Sequence, residues 1–112
     1  DLDGTLVDIA PSPDAIAVPA GLADRLAALA AQLEGRMALV SGRGIDDLER
    51  HLGPLALACA GSHGAARRHA DGAWLGERPT PLDDEIVARV AAFAIEHGVH
   101  YEPKPHGAAL HS

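Results

Sequence analysis

Asp1 and Asp3, at the start of the chain, are two carboxylates whose spacing suits phosphoryl transfer. In an extended segment residues i and i+2 point to the same side, so both side chains would face one ligand. Asp1 would then act as nucleophile and Asp3 as proton donor, with one hard cation shared between them. Gly4 lets backbone amides approach a phosphate closely, and the Thr5 hydroxyl would bind the phosphate or hold the turn. Taken alone, the same residues are also typical of a solvated turn.

A second candidate site is Ser41-Gly42-Arg43, which directly follows an apolar run at 37–40. A hydroxyl and free backbone amides at a strand end, just ahead of a helix N-terminus, attract phosphate. The alternative is that Ser41 only caps that helix. Two other phosphate motifs are excluded, because the segment lacks the third glycine of a dinucleotide fingerprint and the chain has no GK[ST] of a P-loop.

His63 and the pair Glu102 and Lys104 are further candidates. The seven histidines form no HExxH motif and have no cysteine partner at zinc spacing, so most are expected to be exposed or hydrogen-bonded. His63 differs because it lies between two glycines after an apolar run, where loops often contact ligands. Glu102 and Lys104 flank Pro103 and form either a surface ion pair or a hydrogen-bonding pair for a polyhydroxylated ligand.

The elements that must position these residues alternate between helix and strand. The spacing of Leu22, Leu26, Leu29 and Leu33 predicts an amphipathic helix over 20–34, and Ile45, Leu48 and Leu52 predict a second one. The apolar runs at 37–40 and 55–60 predict strands covered on both faces, and 65–77 predicts a hairpin. This order favours a parallel sheet whose strands end at one edge, where Asp1, Asp3 and Ser41 would lie together.

The segment from 79 onwards changes character. Thr80 and Pro81 predict the start of a helix whose buried stripe is Ile86, Val90 and Phe93. Strands are then predicted at 99–102 and 108–112. We therefore place a domain boundary near residue 78, and we expect the chain to be a piece of a longer protein because no apolar strand leads into Asp1.

Composition limits the class of protein. With 112 residues, 47% of them apolar, the chain can bury one modest core. The net charge of -7 argues against a nucleic-acid partner. No stretch approaches 18 apolar residues, so no membrane association is expected. The single cysteine, Cys59, lies in an apolar run and fits a reducing compartment, which predicts a cytoplasmic protein.

Several stretches together resemble the trehalose-6-phosphate phosphatase family of the haloacid dehalogenase superfamily. They are DLDGT at 1–5, PSPD at 11–14, LVSGR at 39–43, AGSHGAARR at 60–68, YEPK at 101–104 and ALH at 109–111. DxDGT specifies only the superfamily, whereas its combination with SGR, GxHG and ExK in this order is more specific. The resemblance implies an α/β fold, with the N-terminal part of a Rossmann-like parallel sheet core at 1–78 and the start of an α/β, sugar-binding cap at 79–112.

The resemblance further implies a Mg2+-dependent phosphatase that hydrolyses trehalose 6-phosphate, a small sugar phosphate, through an aspartyl-phosphate intermediate. Asp1 would be the nucleophile and a metal ligand. Asp3 would be the general acid and then the base for water, with its backbone carbonyl on the metal. Ser41 would bind the transferring phosphoryl group. The remaining assignments are phosphate-binding for Gly4, Thr5 and Gly42, and substrate-binding for Arg43, His63, Glu102 and Lys104.

Departures from the family pattern leave alternatives open. Ala66 stands where the family usually has a glutamate, and the second half of the family pattern is missing, including a core lysine and an acidic loop. We therefore expect these 112 residues alone to be inactive and marginally folded. The alternatives are another sugar-phosphate phosphatase of the superfamily, or a non-catalytic regulatory domain fused to or associated with trehalose-6-phosphate synthase.

Overall fold

The computed structural model describes residues 1–112. The chain forms two compact units, Asp1–Arg78 and Pro79–Ser112, which are described separately. None of the helices has the length and apolar character needed to cross a membrane.

The first unit is an α/β structure built on a three-stranded sheet. Its elements are α1 (Leu22–Gln32), β1 (Ala38–Val40), α2 (Ile45–Leu52), β2 (Ala58–Gly61) and β3 (Ala66–Arg68). Strands β1 and β2 pair in parallel, with Leu39 opposite Cys59, and α2 is the connection between them. Strand β3 pairs antiparallel with β2, so the sheet is mixed. The predicted hairpin over 65–77 is a short antiparallel pairing, with a bridge between Arg68 and Trp74. It is flanked by hydrogen bonds from the Leu75 N–H to the Arg67 carbonyl at 2.9 Å and from the His69 N–H to the Ala73 carbonyl at 2.8 Å.

Helix α2 confirms its predicted apolar stripe. Ile45, Leu48 and Leu52 are all buried, and Leu48 is fully inaccessible to solvent. Gly53 ends the helix with a positive φ of 82°, and its N–H donates to the Glu49 carbonyl. The helix therefore packs its whole apolar face into the core of the first unit.

Helix α1 and strand β1 differ from their predictions. Helix α1 is shorter than expected and buries Leu26 and Ala30, whereas Leu29 and Leu33 are 45% and 40% exposed. In β1 only Leu39 is buried, and Val40 on the other face is 54% exposed. The expectation of a strand covered on both faces was wrong, because the described residues of the first unit cover one face of the sheet only.

The core of the first unit is aliphatic. Its buried members come from the opening turn, both helices, the sheet and the segment before β2. They are Leu2, Val7, Leu26, Ala30, Leu39, Ile45, Leu48, Leu52, Leu55, Leu57, Cys59 and Ala66. Leu2 is fully buried, so the chain is anchored in the core between Asp1 and Asp3.

The second unit is one helix followed by a two-stranded hairpin, α3 (Asp84–His97), β4 (His100–Lys104) and β5 (Gly107–His111). The N-cap of α3 is Asp83, whose carboxylate accepts from the Glu85 N–H at 2.9 Å. The prediction that Thr80 begins the helix was therefore wrong. Gly98 ends α3 in the left-handed conformation with a φ of 63°.

The predicted buried stripe of α3 is largely exposed within this unit. Ile86 and Phe93 are each 48% exposed, and Ala94 is the only buried residue of the helix. Ile86, Val90 and Phe93 instead line a shallow apolar groove together with Leu110 of β5. The stripe was correctly identified as apolar and wrongly expected to be covered.

Candidate active site

The opening motif forms a tight turn around Leu2. The Leu2 carbonyl accepts from the N–H groups of Thr5, Leu6 and Val7 at 3.3, 2.9 and 3.1 Å. Gly4, with a φ of 75°, donates to the Val7 carbonyl at 2.8 Å. Burial of Leu2 leaves its neighbours Asp1 exposed and Asp3 partly exposed, as period-two alternation requires.

This turn leaves oxygen atoms free that fit a hard cation. The Asp1 carboxylate uses Oδ1 to accept from the Leu2 N–H at 2.8 Å, and its other oxygen has no protein partner. The Leu2 and Val7 carbonyls are the acceptors of the turn, so the Asp3 carbonyl is not used by it. Mg2+ binds oxygen ligands in octahedral geometry. The Asp1 carboxylate and the Asp3 carbonyl are suitable ligands, but they would fill fewer than half of the octahedral positions.

The Asp3 carboxylate itself is held by Arg43. The Arg43 side chain is only 10% exposed, and its Nε and Nη2 donate to Oδ2 and Oδ1 of Asp3 at 2.7 and 2.8 Å. Its Nη1 donates to Asp47 Oδ2 at 2.8 Å. The hydrogen bond from Arg43 holds the pKa of Asp3 below its ordinary value, so this group is ionised in the arrangement observed.

Asp47 also pairs with Arg50, which in turn contacts Asp14 of the PSPD stretch at 11–14. Arg50 Nη2 lies 2.5 Å from Asp47 Oδ1 and 2.7 Å from Asp14 Oδ1. Burial would raise the pKa of Asp47, but hydrogen bonds from Arg50 and Arg43 outweigh it and lower that pKa. Asp14, Asp47 and His51 bring ligand atoms within 4.8 Å of one another. Because arginines already occupy both carboxylates, this cluster is an ion-pair network of the first unit.

Ser41 lies directly after β1 and is 4% exposed. Its N–H donates to the Ala60 carbonyl at 2.9 Å, and its hydroxyl oxygen accepts from the Arg43 N–H at 3.1 Å. The N-cap of α2 is Gly44, and no side chain caps the helix. The alternative prediction that Ser41 caps this helix is therefore wrong. The Ser41 hydroxyl instead holds the turn that carries Arg43 towards Asp3.

The loop Gly61–Gly64 is joined to this corner by its backbone. The Ser62 N–H donates to the Arg43 carbonyl at 2.7 Å, and the His63 N–H donates to the Ser41 carbonyl at 3.3 Å. Gly61 must be glycine because a Cβ there would lie 2.7 Å from the Arg43 carbonyl oxygen. The two loops that follow the parallel strands β1 and β2 therefore form one structure, at the sheet edge where ligands bind in α/β folds.

His63 lies over Gly42. Ser62 and His63 have positive φ angles of 50° and 56°, and a Cβ on Gly42 would lie 2.6 Å from His63 Cε1. The imidazole is exposed on the solvent side. The structure thus brings together Asp3, Ser41, Gly42, Arg43 and His63, which lie up to 60 residues apart in the sequence.

In the second unit, Glu102 and Lys104 are paired on β4. Lys104 Nζ lies 2.7 Å from Glu102 Oε1, and His111 Nε2 lies 2.8 Å from Glu102 Oε2. Hydrogen bonds from Lys104 and then His111 lower the pKa of Glu102, so it is a carboxylate at neutral pH.

Sequence reasoning assigned no role to three residues of these networks, Asp47, Arg50 and His111. Asp47 lies four residues after Arg43 on the same side of the α2 N-terminus, a spacing that favours ion pairing. His111 lies in the ALH stretch of the family resemblance, but its contact with Glu102 depends on the register of the β4–β5 hairpin, which the local sequence does not report.

Comparison with known proteins gives a consistent result. The sequence model of the family described as Trehalose-phosphatase matches residues 1–111. A protein of Sinorhizobium fredii named probable trehalose-phosphate phosphatase is 42% identical over 99% of this chain, and the trehalose-6-phosphate phosphatase of Escherichia coli is 34% identical over 99%. The chain spans 42% of the length of each of these relatives.

Two further matches bear on architecture. A solved structure described as a trehalose-6-phosphate phosphatase related protein superposes with a TM-score of 0.56 and 25% identity, covering 91% of this chain and 45% of the other. A protein of Thermoproteus tenax named bifunctional trehalose-6-phosphate synthase/phosphatase is 44% identical over 66% of this chain, which spans 10% of that protein.

Proposed function

The chain belongs to the trehalose-phosphatase family, and from this membership we propose that the full-length protein hydrolyses trehalose 6-phosphate to trehalose and inorganic phosphate. The observation that supports this most directly is the junction of Asp3 with the Ser41–Arg43 corner. Two hydrogen bonds from Arg43 join the opening motif to the loop that follows β1. Phosphoryl transfer needs carboxylates and phosphate-binding donors at one place, and this junction supplies both.

In the proposed mechanism Asp1 attacks the phosphorus atom. Its unpartnered carboxylate oxygen forms the new bond while the bond to the sugar oxygen breaks. Asp3 gives its proton to the leaving sugar oxygen and later takes a proton from the water that hydrolyses the aspartyl phosphate. The Ser41 hydroxyl and the Gly42 N–H would bind the phosphoryl oxygens. The N–H groups of Gly4 and Thr5 already donate within the opening turn, so the phosphate-binding group left on that turn is the Thr5 hydroxyl. Mg2+, held by Asp1 and the Asp3 carbonyl, would neutralise charge on the phosphoryl group.

Arg43 sets a condition on this mechanism. While both of its Nε and Nη2 donors remain on Asp3, that carboxylate is ionised and has no proton to give. The phosphate dianion of the substrate is a competing partner for the same guanidinium. When the substrate phosphate engages Arg43, Asp3 loses its ion-pair partner and takes up a proton from solvent, which it then gives to the leaving sugar oxygen. This step supports a substrate-binding role for Arg43 and, beside it, for His63.

The second unit, Pro79–Ser112, is proposed to be the start of a sugar-binding cap on the core formed by Asp1–Arg78. Glu102 and Lys104 offer a carboxylate and an ammonium on one face of β4. Such groups accept from and donate to the hydroxyls of a sugar. These two residues are therefore proposed to select trehalose among sugar phosphates.

The decisive experiment measures phosphate release from trehalose 6-phosphate by the full-length protein. We expect turnover with Mg2+, loss of turnover with a chelator, and loss in Asp1→Asn. Asp8→Asn is the matched control, because Asp8 is an exposed carboxylate of the same segment with no assigned role. Full activity of Asp1→Asn would exclude the mechanism.

Two alternatives have distinct outcomes in the same assay. Faster turnover of glucose 6-phosphate than of trehalose 6-phosphate would indicate another sugar-phosphate phosphatase. No turnover of any phosphate ester would indicate a regulatory domain. The Thermoproteus tenax relative is named as a synthase/phosphatase fusion, so fusion to, or association with, a synthase is part of the proposal, as is a cytoplasmic location.

A further inference from the structure

The β4–β5 hairpin has one polar face. Residues directly opposite each other in an antiparallel pair lie on the same face, and alternate residues of a strand share it. The register pairs His100 with His111, Glu102 with Ala109, and Lys104 with Gly107. The opposite face carries Tyr101, Pro103, Ala108 and Leu110.

On this polar face the Glu102 carboxylate is held from two sides. Lys104 Nζ lies 2.7 Å from Oε1, and His111 Nε2 lies 2.8 Å from Oε2. His111 reaches Glu102 diagonally, across the position occupied by Ala109. A methyl group there leaves space for the imidazole, and rotation of the carboxylate would break both hydrogen bonds. His111 and Lys104 therefore fix the plane of the carboxylate.

The arrangement leaves this carboxylate accessible to a ligand. The side chains of Glu102 and Lys104 are 30% and 25% exposed, and that of His111 is 55% exposed. Each carboxylate oxygen has two acceptor positions, so each keeps one for a further donor. Ion pairs this exposed contribute little to folding. The consequence of the network is orientation of a carboxylate that remains free to accept hydroxyl groups.

We propose that His111 is a positioning residue that, together with Lys104, orients the Glu102 carboxylate to accept hydrogen bonds from the hydroxyls of the sugar. This inference rests on the proposed role of Glu102 in binding the sugar. His111 acts through Glu102 and does not touch the phosphoryl group, so its effect is confined to substrates that carry a sugar.

The test compares kcat and KM of the full-length protein for trehalose 6-phosphate and for 4-nitrophenyl phosphate, which has no sugar. We expect His111→Ala to raise KM for trehalose 6-phosphate about three- to tenfold, the range for loss of one partly exposed charge-assisted hydrogen bond. Both constants for 4-nitrophenyl phosphate should stay unchanged. His111→Gln keeps an N–H donor and should recover most of the loss.

Two further variants identify the route of the effect. His100→Ala is the matched control, because His100 lies opposite His111 on the same face and makes no hydrogen bond to Glu102. It should leave KM unchanged. Adding His111→Ala to Glu102→Gln should raise KM no further than Glu102→Gln alone, since His111 acts through that carboxylate.

The outcomes separate this inference from the proposed function. A wild-type protein that releases no phosphate from trehalose 6-phosphate overturns both. An active wild type with an unchanged KM in His111→Ala overturns the inference alone. Equal losses with both substrates, or a His111→Gln variant as impaired as His111→Ala, would indicate a merely structural histidine and overturn it as well. If His111→Ala does not fold, His111→Leu replaces it in every comparison, because leucine fills much of the space of the ring without an N–H donor.

Discussion

Arg43 and Asp3, 40 residues apart in the chain, are joined by a two-point hydrogen-bonded ion pair, with Nε to Oδ2 at 2.7 Å and Nη2 to Oδ1 at 2.8 Å. A planar guanidinium matches a carboxylate in this way and a lysine ammonium does not. Arg43 therefore controls both the position of Asp3 and the linkage between the opening turn and the Ser41 corner.

We expect Arg43→Lys to lower kcat for trehalose 6-phosphate by about 10²-fold, because an ammonium cannot bind the substrate phosphate at two points as a guanidinium does, and about 10²-fold is the scale for misplacing a reacting group by about 1 Å. Steady-state kinetics of the full-length protein measure this. Arg50→Lys is the control, since Arg50 also pairs with Asp47 but is 60% exposed and does not contact Asp3. An unchanged kcat in Arg43→Lys would show that the reaction does not depend on two-point binding by the Arg43 guanidinium.

Gly42→Ala should destabilise the loop that carries His63. The added Cβ would lie 2.6 Å from His63 Cε1, and overpacking of this kind costs about 1–3 kcal/mol. Thermal or urea unfolding would report the loss. The double variant Gly42→Ala with His63→Ala removes the imidazole that clashes with the added Cβ, so it should recover much of the lost stability. A single variant as stable as wild type would mean that the imidazole moves aside at no cost.

The Glu49–Arg68 pair predicts a pH-dependent contribution to stability. Both Arg68 Nη atoms bond to the Glu49 carboxylate, whose Oε1 also accepts from the Leu55 N–H at 3.3 Å. The hydrogen bond from Arg68 lowers the pKa of Glu49 below its ordinary value of 4.5. The stabilisation is therefore complete above pH 4.5 and is lost as the pH falls through the lowered folded-state pKa.

We expect Glu49→Gln to lower the free energy of unfolding by about 1–2 kcal/mol at pH 7. Urea unfolding at several pH values should show this difference shrinking below pH 4.5. Glu77→Gln, at an exposed position without an ion pair, should have no effect at any pH. A difference between wild type and Glu49→Gln that grows on acidification would contradict the assignment.

Helix α1 offers a direct test of the corrected apolar stripe. Leu26 is 6% exposed and Leu29 is 45% exposed. Leu26→Ala should cost about 2–5 kcal/mol of unfolding free energy, whereas Leu29→Ala should cost less than about 1 kcal/mol. Denaturant titrations of the two variants give the comparison. Equal costs would show that parts of the full-length protein outside these residues cover Leu29.

Sequence patterns correctly identified the apolar faces of the helices. They were less successful in predicting which of these faces are buried by other parts of the chain. The stripe of α2 was predicted correctly because Ile45, Leu48 and Leu52 find their partners within the first unit. The stripes of α1 and α3 were only partly right, because periodicity reports amphipathicity and cannot show what packs against a helix. Whether Leu29 or Phe93 is buried depends on contacts far away in the sequence.

At the candidate active site, too, local sequence patterns predicted some features and not those that depend on tertiary packing. The alternation of strands and helices was enough to bring the Ser41 corner and the loop of His63 to one sheet edge. The pairing of Arg43 with Asp3 could not be predicted, because it depends on how the opening turn packs on the core. The start of α3 was ambiguous locally, since Thr80 and Asp83 are both good caps, and the bond from the Glu85 N–H selects Asp83.

Ser62 and His63 adopt left-handed backbone angles in succession without being glycine. Each such residue costs about 1–2 kcal/mol relative to glycine in the same conformation. His63→Gly should therefore raise the melting temperature while removing the ring that lies over Gly42. A screen that rewards thermal stability alone would select glycine at this position, whereas, under the proposed substrate-binding role of His63, a screen for turnover would retain the histidine. Position 63 therefore represents a trade-off between thermal stability and the proposed activity.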